Sequence, residues 1–501
     1  MDDDRETQKI HHETSPLVGD VVPKKGADGA GEADSQDREA TFKDDVLDTL
    51  HLAGPIFVSR VSWVGMKSTD TALLGHTSGD ALSAAALSDL YTMCTAVLIQ
   101  GRVLGILVGQ TCGADNRHLA VVYLRISVAV LSALAVPVAI SWAYTEDVWT
   151  WMGQPGDVAG MAGYYSRVFI LAIPAQMIYS QLSQYLTAQR VMRPEVVTSS
   201  AGLAANLVLG LVLVLGWPIP GFVGFGFAAC PIVTVVVVYI QLCILGYYFV
   251  KTEHAKPPIE GTLANDNTLS HWTSGFTWTR FQTFSQLYFP AALALSSDFW
   301  RMGLIGAIAA KIGEREVGLF NASYRILWIT LIFISSVSGA TGIKLGLRLG
   351  KNQAKQARQA AEVGVVLCVV LLMLLSGIVY CNIRSFGAIF TSDESYLDLF
   401  EEVRLPFTCV LFFMNLSVGI ERIPMSLGRT GDVFWAGFVA SWFGQVPAVF
   451  FLVEYWRNDL YALYTGIGIG YAFLTILYSW MAYSSDFEHY CELAQIRAEA
   501  K

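Results

Sequence analysis

HLAGPIFVSRVSWVGMKSTDTALLG, residues 51–75, decides how this chain folds. It is the first segment long enough to cross a bilayer, which takes about 20 mostly apolar residues. Arg60, Lys67 and Asp70 interrupt it, and Pro55 sits near its start. Charges facing lipid near the bilayer centre cost roughly 3 kcal/mol or more each, so these three must face protein or water. Pro55 removes a backbone donor and is expected to serve as a hinge. The stretch reads as one wall of a polar cavity inside a membrane protein.

Composition agrees. Of 501 residues, 53% are hydrophobic and only 15% charged, and the mean hydropathy is +0.46. A soluble chain would carry charge on about a quarter of its residues. The net charge of -9 owes much to the first fifty residues, and no basic surface argues for nucleic acid. The eight cysteines are scattered, mostly inside apolar runs, with no CxxC or Cys/His pairing, and read as packing residues. No cofactor or metal is expected.

Residues 1–46 hold almost nothing to bury and are expected to form a disordered cytoplasmic tail. They lack the pattern of a secretory signal, so the first span itself should direct insertion. Further apolar runs fall near 84–110, 119–144, 160–188, 196–216, 221–250, 282–310, 318–343, 360–382, 402–426, 432–454 and 459–483. By the length rule the fold is all-α and polytopic, with about twelve transmembrane helices. A polar linker, 251–281, divides an N-terminal six-helix lobe (47–250) from a C-terminal one (282–485), and 486–501 is a polar cytoplasmic tail. Loops after even-numbered spans carry Arg117, Arg190, Arg193, Lys251, Lys256, Lys344, Arg348, Lys351, Lys355, Arg358 and Arg429. Loops after odd-numbered spans carry few cations, which places both termini in the cytoplasm.

The halves echo each other. GQTCGADNRHLAVVYLR (109–125) resembles GLRLGKNQAKQARQAAE (346–362), and LTAQRVMRPEV (186–196) resembles MSLGRTGDVFW (425–435). With six spans per half, the repeats share one topology and should flank a central cleft with a site near the midplane. Gly101, Gly105 and Gly109, at four-residue spacing, should let another helix approach closely.

These features together resemble the multidrug and toxic compound extrusion (MATE) family of eukaryotic type. The matching residues are LAGPIFV with DTALLGH, GQTCGADN, LTAQRVMRPEVV with AANLVLG, SSDFWR, and VSGATGIKLGLRLGKNQ, in that order. The resemblance implies a secondary antiporter that expels organic solutes by alternating access, using a proton or sodium gradient. It implies ion-linked roles for Asp70 with Pro55 in span 1, for Asn206 in span 5 and for Asp298 in span 7. The chain departs from the family pattern at four points. Gly303 replaces the second span 7 acid, Asn415 stands where an acid is usual in span 10, Arg325 replaces a span 8 glutamate, and Gly210 replaces a second span 5 aspartate.

Intramembrane carboxylates are functional by default. Asp298 has a local alternative, an ion pair with Arg301 one turn away, and Asp70 has one in Lys67. Glu421, beside Arg422, reads as a solvated interfacial charge. Phe299, Trp300 and Tyr324 are placed to stack on a planar solute, and Arg301, Arg325 and Asn415 complete the candidate cleft. One evident acid near the C-lobe centre favours the proton over sodium, whose sites gather several oxygens. Arg60, Lys67, Arg167, Arg301 and Arg325 outnumber Asp70 and Asp298, so organic anions such as carboxylates are an alternative substrate class. A lipid flippase of similar architecture is a further rival. His51, His76 and His118 form no catalytic set, so an enzyme is not expected. The remaining expectations are a monomer in a plasma or vacuole-type membrane, with lipid and a small organic solute as its partners.

Overall fold

The computed structural model describes residues 42–100, 102–251, 275–389 and 393–499. Helix follows helix, with no strand among these residues. The first span is α1 (Phe42–Gly75), continuous through Pro55. Its first turn takes in residues 42–46, which the sequence assigned to the tail; the rest of that tail and positions 252–274 of the linker lie outside the described residues. The second span is α2 (Gly79–Ala96) and α3 (Leu104–Gly113), separated by a tight turn at Val97–Ile99. There follow α4 (Arg117–Ala143), a short α5 (Thr145–Trp151), and α6 (Gly156–Ile170) with α7 (Ile173–Ala188), a pair bent by 54°. The first lobe closes with α8 (Arg193–Leu213) and α9 (Ala229–Lys251).

The second lobe opens with α10 (Trp278–Ile312), α11 (Glu314–Gly350) and α12 (Ala354–Cys381). Short helices α13 (Ile383–Ala388) and α14 (Glu394–Glu402) lead into α15 (Arg404–Leu427). The eleventh span is α16 (Thr430–Val439) and α17 (Val446–Tyr455), joined through a π-turn at Ala440–Gln445. Last come α18 (Leu460–Tyr483) and α19 (Phe487–Glu499). Among the described residues nine helices are long and apolar enough to cross a membrane, ten with the bent pair. Adding α1 and α10, the two interrupted mid-span by charge, gives the twelve. Val208, Met373, Leu374, Phe443, Ile476 and Trp480 stand exposed, which water would penalise and acyl chains do not. The protein is an integral, multi-pass membrane protein.

Local chemistry sets the helix starts. Ser78, Asn116 and Asp459 accept from the backbone N–H three residues on, at 3.1, 3.1 and 2.9 Å, satisfying donors that have no partner within the helix. The matching ends of the two repeats also share a backbone device. Asp115 and Asn352, each just past a repeat's glycine-rich helix end, adopt φ of 59° and 58°.

Those same repeat ends pack on one another. A Cβ on Gly109 would lie 3.3 Å from Gly346 Cα, and one on Gly350 only 2.0 Å from Gln110 O. Here α3 and α11 touch backbone to backbone. Of the expected glycine stripe only Gly109 serves this contact: Gly105 faces open space, and Gly101 lies outside the described residues.

Charge reinforces the seam. Lys344, assigned from sequence to a loop, lies inside α11 and is 0% exposed. Its Nζ donates to Asp45 O, Asp45 Oδ1 and Thr49 Oγ1 at 2.9, 3.0 and 3.0 Å. Arg348 donates to both Asp45 carboxylate oxygens. Asp45 precedes the apolar stretch of α1. Burial works against its ionisation, but the hydrogen bonds from Arg348 and Lys344 outweigh that and hold its carboxyl below the usual range. Across the same end runs α19, read from sequence as a tail. Its Arg497 donates to Gln110 Oε1 of the first lobe and to Leu427 O of the second, both at 3.3 Å. The lobes are therefore sealed at the end that carries the first and last helices.

Candidate functional site: two acids beside a central cleft

Asp70 is 5% exposed. Its Oδ1 accepts from Asn206 Nδ2 of α8 at 3.0 Å and its Oδ2 from Thr234 Oγ1 of α9 at 3.2 Å. The Thr234 hydroxyl has a second acceptor in reach, Cys230 O at 3.3 Å. Asn206 Oδ1 is buried with no partner. A hydroxyl can donate or accept, so these neighbours suit a carboxylate and a carboxylic acid alike. Lys67 does not pair with Asp70. Its ammonium goes to Asp89 of α2 at 3.0 Å and lies 5.4 Å from the Phe169 ring centroid. Three of the four side chains here, Asn206, Thr234 and Asp89, lie far from Asp70 in sequence. Nothing in the sequence marked Thr234 or Asp89. A Cβ on Gly210 would stand 2.3 Å from Leu73 Cδ1, so leucine fills the space that a side chain there would need.

Asp298 is different. Its side chain is 51% exposed and pairs with Arg301 Nη2 at 3.1 Å, the local alternative weighed from sequence. Arg301 is itself buried. It donates to Ser441 Oγ at 2.6 Å and Tyr471 OH at 3.0 Å, with its guanidinium 5.0 Å from the Tyr471 ring centroid. Ser441 lies in the π-turn of the eleventh span, where the widened helix brings its hydroxyl to the arginine. Trp442 in the same turn donates to Ser297 Oγ at 2.8 Å.

The other candidates scatter. Trp300 is exposed and Phe299 half-buried, but the ring neighbours of Tyr324 are Phe320 and Trp328 on its own helix. Arg325 is exposed. Asn415 is fully buried, donating to Thr330 Oγ1 at 3.1 Å, so it ties α15 to α11 and does not line the cleft. Gly303 leaves open space. Of the five bases set against Asp70 and Asp298, three are locally engaged: Lys67 by Asp89, Arg167 by Glu146 at 3.0 Å, and Arg301 by Asp298. Among the described residues no group of three or more His, Cys, Asp or Glu is placed to hold a metal ion.

Comparison with known proteins places this architecture. The chain is 23% identical to a multidrug and toxin extrusion protein 1 of Danio rerio, over 73% of this chain and 59% of that protein. It is 24% identical to an uncharacterised transporter of Schizosaccharomyces pombe, over 88% of this chain and 80% of that one. The crystal structure of the eukaryotic MATE transporter AtDTX14 superposes with a TM-score of 0.81 at 19% identity, covering 91% of this chain and 99% of that one. The family model MatE matches residues 55–212 and 290–450, one block in each lobe and more than half of the chain. With two six-helix lobes, an acid in the first helix of each and both lobes matched, the chain belongs to the MatE family of transporters.

Proposed function

We propose that the protein is a secondary-active exporter of organic solutes that works by alternating access and exchanges solute for protons through Asp70. One observation supports the proton above all: the Thr234 hydroxyl stands between two acceptors, Asp70 Oδ2 and Cys230 O. It donates to Asp70 when the acid is ionised. It turns to Cys230 O and accepts from Asp70 when the acid is protonated. Sodium fits less well. It needs several oxygen ligands, Leu73 fills the space beside Gly210 that a further oxygen ligand would need, and the Lys67 ammonium stands one turn away. Asp298 holds Arg301 in place and remains a second candidate for the coupling ion. The sealed seam lies at the end of the chain's termini, and the cations of the loops support a cytoplasmic side for it. The protein acts as a monomer, in a plasma or vacuole-type membrane.

Proteoliposomes carrying a lumenal pH dye test this reading. Adding solute should move protons under an imposed pH gradient at fixed sodium, and Asp70→Asn should stop the movement. Flux that follows sodium at fixed pH would overturn it. So would movement of lipid analogues without soluble solutes, which is the outcome for a flippase.

A further inference from the structure

We infer that Asp89 of α2 is a positioning residue for proton exchange at Asp70: it holds the Lys67 ammonium away and leaves Asp70 free to titrate. The inference rests on the proton-exchange reading and deepens it. Lys67 and Asp70 lie three residues apart on α1, a spacing at which an ammonium and a carboxylate pair readily. They do not pair here. Lys67 Nζ donates across to Asp89 Oδ1 at 3.0 Å. Both Asp70 oxygens accept instead from neutral donors, Asn206 and Thr234.

The helix α6 fixes this arrangement from the other side. Its Ser166 hydroxyl bonds that of Ser88, the neighbour of Asp89, at 2.7 Å, and both serines are fully buried. One turn on, the Phe169 ring centroid lies 5.4 Å from the Lys67 ammonium. Phe169 packs on Tyr165 with 5.0 Å between centroids, and Tyr165 OH lies 3.8 Å from Cys230 Sγ. Cys230 O is the second acceptor within reach of Thr234, which closes the circuit to Asp70. A ring of contacts from α1, α2, α6 and α9 thus joins both carboxylates and the ammonium.

The titratable groups that face Asp70 are Lys67 from its own helix, Asp89 from α2, Cys230 from α9 and Tyr165 from α6. The α8 partner, Asn206, is neutral, and α11 meets α1 further back, at Thr49 and Phe57. Charge then decides the outcome. The Lys67–Asp89 pair is neutral as a unit, so the proton count of Asp70 sets the charge of the group. An ammonium set directly on Asp70 would favour the carboxylate and oppose protonation. Without Asp89, Lys67 has Asp70 one turn away as its acceptor, and the acid would stay ionised where the wild type takes up its proton.

Infrared difference titration of the full chain in nanodiscs reads the protonated carboxyl, with the Asp70 band identified by its loss in Asp70→Asn. An amide oxygen competes poorly with a carboxylate for an ammonium, so in Asp89→Asn the midpoint of that band should fall by about one pH unit. Adding Lys67→Met to Asp89→Asn removes both charges and should restore the wild-type midpoint. Asp89→Glu keeps the ion pair and should leave the midpoint in place. Thermal unfolding reports whether each variant folds, and Asp89→Ser serves if the asparagine variant does not. An ion pair with a structural role alone would lower the unfolding temperature without moving the midpoint, and that result overturns the inference. So does a double variant that fails to restore it. A wild-type chain with no titrating Asp70 band overturns the proton reading itself, and this inference with it. A shifted midpoint without solute-driven flux would instead sink the export reading and leave the role of Asp89 standing.

Discussion

The first helix of each lobe carries an acid in its membrane span, and the two are held in opposite ways. Asp70 is buried and meets only neutral donors, Asn206 and Thr234, while the nearest ammonium is engaged elsewhere by Asp89. Asp298 is half-exposed and bonded to a buried arginine that Ser441 and Tyr471 help to fix. A carboxylate among neutral partners can change its proton count without breaking an ion pair. The two lobes share a topology and hold their acids differently: Asp70 among neutral donors, Asp298 against a buried cation.

Four experiments sharpen or break that division. Asp70→Asn should abolish proton-driven export while leaving a protein that inserts and folds, because the amide keeps the shape, its oxygen accepting from Asn206 and its NH2 donating to the Thr234 hydroxyl. Dye-reported proton movement in vesicles is the measurement, and wild-type coupling in this variant would end the distinction between the lobes. Next in size is Asp45→Asn, which leaves Lys344 buried without its full counter-charge. Removing one partner of a buried pair costs about 3–5 kcal/mol. The sealed end should open, read as a gain of cysteine-reagent labelling at a probe placed beside Thr49.

A smaller effect is expected from Asp298→Asn. An ion pair with one half-exposed partner contributes about 1 kcal/mol or less, so transport should fall about fivefold and keep its pH dependence. Loss of that pH dependence would make Asp298 the coupling acid after all. The smallest effect is that of pH on the seam. The Asp45 carboxyl is held below its ordinary range, so its contribution is complete above about pH 4 and fades as pH falls through the lowered value. The same labelling assay should show no change between neutral pH and about pH 5, and opening only in stronger acid.

The sequence carried the architecture well, because hydrophobic length and a repeat of glycine-rich helix ends are local signals. GQTCGADN and GLRLGKNQ could be matched on paper, and the structure sets Gly109 on Gly346. Asp70 with Asn206 was also legible, through family resemblance. Their third partner was not, since Thr234 is one hydroxyl among many and only the packing of α9 on α1 selects it. Lys344 looked like a loop cation because its surroundings alternate charge and glycine. The helix runs on past it, and Asp45, almost 300 residues earlier, supplies what buries it. The balance of bases was legible only in part for the same reason. Counting charges in spans gathered Arg60, Lys67, Arg167, Arg301 and Arg325, and only the structure pairs three of them, with Asp89, Glu146 and Asp298.

The contact between Gly113 and Gly350 gives this transporter's conformational equilibrium a one-carbon handle. A Cβ on Gly113 would stand 2.3 Å from Leu347 O, and the atom in the way is backbone, which cannot rotate aside. Alanine at either position therefore acts as a doorstop: it admits every state in which the lobes have parted at that end and excludes the one described above. Asp70 and Asp298 stay untouched by the change. A population of alternating states that normally interconverts can thus be held on one side by a methyl group, leaving the binding chemistry of that side to be measured alone.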